Sequence, residues 1–151
     1  MSYIFKYDTI VIKNTVDEVS NSGVNMVDIP ALTMNLQPGW YSIEFNPLYD
    51  VNSINTGTGW DFGGGTAVLS NYAFRSRLPS TTTANFFNNY SSPSKNFTTT
   101  QTSRINDNRG SLKAEFLVTT PGTLIPRFRS ELPSGTVTVK VGSYINIKKL
   151  I

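Results

Sequence analysis

Along most of this chain apolar and polar residues alternate with a period of two, the spacing of strands that bury one face. Tyr3, Phe5 and Tyr7 alternate with Lys6 and Asp8. Ile10 and Ile12 then continue on the opposite parity, which predicts a bulge or two short strands. Leu32, Met34 and Leu36 alternate with Thr33 and Asn35 up to a turn at Gln37-Pro38-Gly39, after which Tyr41, Ile43 and Phe45 alternate with Ser42 and Glu44. Ala67, Leu69, Tyr72 and Phe74 mark a further segment over 66–78, with Arg75 and Arg77 facing elsewhere.

The pattern is clearest toward the C-terminus. Leu112, Ala114, Phe116 and Val118 lead to Thr120-Pro121-Gly122; Leu124, Phe128 and Leu132 lead to Pro133-Ser134-Gly135; Val137, Val139 and Val141 lead to Gly142-Ser143. Residues 144–150 close the chain. Pro-Gly and Pro-Ser-Gly between such runs read as hairpin connections. Many short strands with no helical spacing between them predict a single all-β domain, a sandwich or a barrel.

Two stretches break the alternation. Residues 52–65 are rich in Gly and Asn and read as a loop around Trp60 and Phe62. Residues 79–110 are dominated by Ser, Thr and Asn, with Phe86, Phe87, Tyr90 and Phe97 among them. An uninterrupted loop of that length is uncommon inside a compact domain. It reads either as an excursion anchored by its aromatics or as an arm that orders on a neighbour.

Composition narrows the chemistry. Charged residues are 15% of the chain against about a quarter in ordinary soluble domains, and aromatics are 12%. That balance suits a protein that buries part of its surface on partners. The net charge of +3 comes from scattered residues, so neither nucleic acid nor a membrane surface is implied as a partner. Without Cys there are no disulfides and no thiolate chemistry; without His the usual general base and the commonest transition-metal ligand are missing. No apolar run approaches the ~20 residues of a membrane span, and residues 1–8 do not read as a leader.

The remaining motifs are incomplete. Gly63-Gly64-Gly65 lacks the Gly-Lys-Ser/Thr of a phosphate loop. The segment from Asp50 to Asp61 begins with calcium-like oxygen spacing but lacks the sixth-position Gly and twelfth-position Glu, leaving only a loose calcium site to consider. Glu44, Asp50 and Asp61 would supply carboxylates for a glycosidase pair if the fold brought two of them together. Asn89-Tyr90-Ser91 and Asn96-Phe97-Thr98 match the glycosylation pattern within an Asn/Thr-rich stretch, where such matches arise by chance. No cofactor is implied. Trp40, Tyr49, Trp60 and Tyr90, with Phe62 and Tyr72, fall in or beside predicted loops. Loop aromatics serve as end caps of a sandwich, as interface anchors or as sugar-stacking platforms.

Pro38-Gly39-Trp40-Tyr41-Ser42-Ile43-Glu44-Phe45 resembles the Gly-x-Tyr-x-x-x-Phe strand of jelly rolls related to tumour necrosis factor and the complement globular heads. The tail from Phe116-Leu117-Val118 through Val137 to Leu150 resembles the closing strands of similar domains in phage virion proteins, which end on Gly-Ser followed by alternating apolar residues. The resemblance covers 38–50 and 111–150, and nothing in 52–110 takes part. It implies a jelly-roll sandwich of about 8–10 antiparallel strands, a homotrimer, and a role as capsid decoration, head fibre or tail fibre without catalysis. It also implies an oligomer interface on Tyr41, Phe116, Phe128 and Tyr144, and attachment to other virion proteins of capsid or tail through the segment at 1–12. The chain shows no collagen-like or coiled-coil stalk, so a compact decoration or adaptor fits better than a long fibre. The alternative is a carbohydrate- or receptor-binding module that meets a host surface glycan through Trp40, Tyr49, Trp60 and Tyr90. An enzyme built on carboxylates alone is the third reading.

Overall fold

In the computed structural model the described residues are 9–13, 18–79, 86–90, 97–99, 102 and 104–150; Tyr3, Phe5 and Tyr7 lie outside them. Among the described residues there are fifteen strands and one 3-10 turn. In chain order they are β1 (Thr9–Lys13), β2 (Val19–Ser22), β3 (Val27–Asp28), the 3-10 turn Pro30–Leu32, β4 (Met34–Leu36), β5 (Gly39–Asn46), β6 (Leu48–Val51) and β7 (Thr58–Gly65). Then follow β8 (Val68–Leu78), β9 (Phe86–Tyr90), β10 (Phe97–Thr98), β11 (Asn108–Arg109), β12 (Ser111–Thr120), β13 (Gly122–Ser130), β14 (Thr136–Val139) and β15 (Tyr144–Lys149). All the strand pairings are antiparallel.

One layer is the six-stranded sheet β1-β15-β5-β12-β8-β9. The other is built from two sheets laid end to end. Its strands β2 and β3, β13 and β14, β6 and β7, and β10 and β11 each run as one interrupted line, and the lines pair in that order. Counting each line once, the first layer runs first, last, third and sixth strand of an eight-strand chain, with the β8–β9 hairpin added at its edge. The second runs second, seventh, fourth and fifth. That alternation of layers is the strand order of a jelly roll, so the all-β sandwich expected from the sequence is what forms.

The four interruptions fall side by side and form a seam across the second layer. Backbone hydrogen bonds carry the ladder over it: Ser130 N to Gly23 O, Glu131 N to Gly57 O, Thr102 N to Ile54 O and Val51 N to Ile105 O, at 2.8–3.0 Å. Asn52 pins the middle, its Oδ1 accepting from Thr136 N at 3.0 Å and Thr56 Oγ1 at 2.8 Å.

Three expectations need correction. The Pro-Gly and Pro-Ser-Gly turns close no hairpins. Gln37-Pro38-Gly39 and Thr120-Pro121-Gly122 carry the chain between layers, and Pro133-Ser134-Gly135 is a seam turn. Among the described strands only β8 and β9 are chain neighbours that pair. Residues 58–65 are a strand rather than a loop, with Thr58 to Phe62 buried on both faces. Glycine is used there for closeness: a Cβ at Gly59 would stand 2.8 Å from Arg129 Nε. The stretch 79–110 likewise contains strands, β9, β10 and β11.

The core lies between the layers. Tyr41, Ile43 and Phe45 of β5, with Phe116, Ala114 and Leu112 of β12 opposite them in register and Val118 opposite Gly39, face Trp60, Phe62, Leu124 and Phe128 of the second layer. Rings touch in an unbroken series from Tyr49 through Trp60, Phe45, Phe62, Phe74 and Phe116 to Tyr41, at centroid spacings of 5.0–6.5 Å. Each such ring contributes about 1.5–3 kcal/mol by leaving water. The parity switch between Leu69 and Phe74 is a bulge in β8, where Asn71 takes φ 52° and the register with β12 shifts.

Candidate interaction surfaces

The core absorbs most of the residues nominated as contacts. Tyr41 is 6% exposed, and Phe116, Phe128, Tyr49 and Trp60 are fully covered within the single chain. Five of the eight therefore cannot meet a subunit or a sugar without unfolding the sandwich. For Tyr49 and Trp60 the loop-like sequence setting misled: Trp60 sits mid-strand in β7, with Phe128 and Tyr49 at 5.8 and 5.0 Å and Thr58 Oγ1 accepting its indole N–H at 2.8 Å. Burial drives the Tyr49 hydroxyl well above the ordinary tyrosine range; the Thr58 side chain opposes this, but not in hydrogen-bonding geometry, and the hydroxyl is left unpaired.

Trp40 and Tyr144 are half-buried on the outer face of the six-stranded layer, and β9 carries Tyr90 opposite Phe74 in backbone register. Trp40 stands opposite Leu117 of β12, and its carbonyl accepts from Leu150 N at 2.7 Å. The rest of this face is polar. Asn146, Glu44, Lys113 and Arg75 stand opposite one another across β15, β5, β12 and β8. Lys113 Nζ reaches Glu44 Oε2 at 3.6 Å, and Ser111 Oγ lies 3.3 Å from Glu44 Oε1. A shallow, open depression of about 370 Å³ lies over Ser42, Glu44, Arg75, Lys113, Glu115 and Lys148. Another, of about 260 Å³, lies beside Gly63, Gly64 and Gly65 against Phe62, Tyr72 and Leu124.

The three carboxylates of the proposed acid pair do not converge. Glu44 is on the outer face of the first layer. Asp50 belongs to the second, where Lys140 Nζ is 3.0 Å from Oδ2 and Asp107 N donates to Oδ1 at 2.7 Å. That contact with Asp50, chiefly its hydrogen bond, raises the pKa of Lys140. Asp61 is 2% exposed and receives both Arg127 Nε and Nη2, at 2.9 and 2.8 Å, while Gly63 N donates to the same Oδ1. The hydrogen bonds to Asp61 raise the Arg127 pKa, burial works against them, and the fields of Asp61 and Asp28 add to the rise. Asp50 and Asp61 are therefore each committed to a cation of the chain itself, which leaves them unfit as a shared calcium site. Among the described residues no three acidic side chains gather as a metal site, and no helix is long and apolar enough to cross a membrane.

One surface feature escaped the sequence. Val24, Leu132, Ile54 and Ile105 are exposed, one on each of the four seam turns. Their signal was there: an isolated aliphatic inside a polar turn, followed by Asn in three of the four cases.

A scan against protein-family models finds no match, and a search of curated proteins finds none. Among solved structures, the crystal structure of the infectious bursal disease virus VP2 subviral particle aligns with 97% of this chain and 42% of its own, at 11% identity and a TM-score of 0.27. The chain spans about two fifths of the length of that structure's chain.

Proposed function

We propose that the chain is a non-enzymatic structural component of a bacteriophage particle, a compact decoration, head-fibre or adaptor protein of capsid or tail that assembles in threes. A fold does not fix a function, so the support comes from residues set in their place. The segments that carry the resemblance, 38–50 to jelly rolls related to tumour necrosis factor and 111–150 to phage domains, furnish β5, β12 and β15, three adjacent strands of one layer in jelly-roll order, with β13, β14 and most of β6 in the other. That coincidence is the observation that carries the reading. Burial of Tyr49 and Trp60 takes two of the four rings away from glycan capture, and burial of Tyr41, Phe116 and Phe128 moves any subunit contact to other residues. On the outer face of the first layer, Trp40 and Leu117, opposite each other in register, supply a half-buried apolar pair suited to a neighbouring subunit.

The test is immuno-electron microscopy of purified particles from the producing culture, with antibody raised against the chain, together with light scattering of the purified protein. Regular labelling of particles and a mass of three chains are expected. Particles free of the chain would end the virion reading, and a single-chain mass would end the threefold one.

A further inference from the structure

The seam gives the second layer a row of four aliphatic side chains. Val24 is 43% exposed, Leu132 39%, Ile54 46% and Ile105 47%, half of the large apolar side chains exposed among the described residues. Across the layer they stand in the order Val24, Leu132, Ile54, Ile105, since their turns are hydrogen-bonded in that sequence. Three strand spacings of ~4.8 Å make the row about 15 Å long.

The turns are held rigid by polar side chains. Asn21 Nδ2 donates to Asn25 O at 2.7 Å, Ser130 Oγ receives Leu132 N at 3.1 Å, and Asn108 Nδ2 donates to Arg104 O at 2.8 Å. A surface ordered before contact loses little entropy on binding. Charge is sparse along the row and divided between its halves. Glu131 adjoins Leu132, and Arg104 adjoins Ile105. Two further charges nearby are already engaged: Asp107 faces Lys140 at 3.8 Å, and Arg129 donates to Ser130 O at 3.1 Å.

We propose that this row is a contact between two copies of the chain, related by a two-fold axis passing between Leu132 and Ile54. Such an axis sets Val24 of one copy against Ile105 of the other and Leu132 against Ile54. It also turns the Glu131 half of each toward the Arg104 half of its mate, so the patch is complementary to itself. A patch this small falls at the low end of protein interfaces. The contact is weak between free molecules and becomes effective where copies are already held close together. The inference stands apart from the virion reading, since it needs only the row and its charges.

Sedimentation velocity of the full chain, from about 10 µM to about 1 mM, tests it. The mass at the lowest concentration reports the basic unit, whether one chain or three; with one row per chain, a single-chain unit rises toward twice its mass and a three-chain unit, with three rows, to twice or more. I54D/L132D, with I54S/L132S as a gentler pair, weakens the rise at least tenfold while the unfolding midpoint holds. R104E weakens it severalfold, and R104E/E131R restores it. A mass that does not change with concentration, a rise that survives the Ile54 and Leu132 changes, or indifference to R104E would each overturn the proposal.

Discussion

Arg127→Met would strip the buried Asp61 carboxylate of two of its three hydrogen bonds, leaving only the Gly63 amide. Asp61 is 2% exposed, so water cannot readily replace what is lost. Breaking a fully buried pair in this way costs about 3–5 kcal/mol. The Arg127 side chain is 26% exposed, so solvent already reaches its end of the pair, which places the expected loss at about 2–4 kcal/mol. For a domain of this length that lowers Tm by roughly 6–12 °C. Asp61→Asn keeps the shape, still accepts from Gly63 and leaves its charge partner near water, so it costs only about 1–2 kcal/mol. In the double variant no charge is stranded, and its loss falls below the sum of the two by about 1–2 kcal/mol. Urea unfolding followed by tryptophan fluorescence, from Trp40 and from Trp60 packed on Phe128 beside the pair, gives all four stabilities. If Arg127→Met proves cheaper than Asp61→Asn, burial of the carboxylate is not what makes the pair matter, and the reasoning fails.

Other variants probe other parts of the fold. Tyr49→Phe should be within ~1 kcal/mol of the parent at neutral pH, because the hydroxyl it removes has no partner. The raised pKa of the folded-state hydroxyl stabilises the fold below the unfolded value of ~10, and this stabilisation is lost as pH climbs toward the folded one. Denaturation midpoints should therefore fall less for Tyr49→Phe than for the parent in alkali; equal falls would reject the assignment. Gly135→Ala puts a Cβ 2.2 Å from Ser130 Oγ and 2.7 Å from Thr56 Cγ2, both fixed in the seam, and should cost about 1–3 kcal/mol in thermal unfolding. Ser143→Ala leaves the Leu48 amide without the hydroxyl it donates to at 2.9 Å, a loss of about 1–3 kcal/mol by the same assay.

Strand parity made much of the sandwich legible. Tyr41, Ile43 and Phe45, and Leu112 through Val118, are buried as their alternation says. Trp60 and Phe62 also alternate, with Gly59, Asp61 and Gly63 between them, but the glycines and the charge resemble loop chemistry. They are strand residues because Arg127 and Arg129 from β13 lie across the outer face and fill the space side chains would occupy. Turn chemistry failed for a different reason. Pro121-Gly122 bends the chain equally well into a hairpin or across to the opposite layer, and what decides is where the apolar faces of β12 and β13 can be buried together. The seam was beyond reach because it requires four separate segments to break at the same height.

The jelly-roll order also sets a timetable for folding. β5 lies between β12 and β15, and its last residue, Asn46, precedes the first residue of β12, Ser111, by 65 positions. At ~5–20 residues per second of synthesis, β5 waits roughly 3–13 s for a neighbour. With β8–β9 the only local hairpin among the described strands, little can nucleate early, and the chain belongs with the slow folders governed by long-range closure. For those seconds Trp40-Tyr41-Ser42-Ile43-Glu44-Phe45 is an unpaired apolar strand, so aggregation during synthesis competes with folding at this segment. Slower induction or lower temperature should act there first.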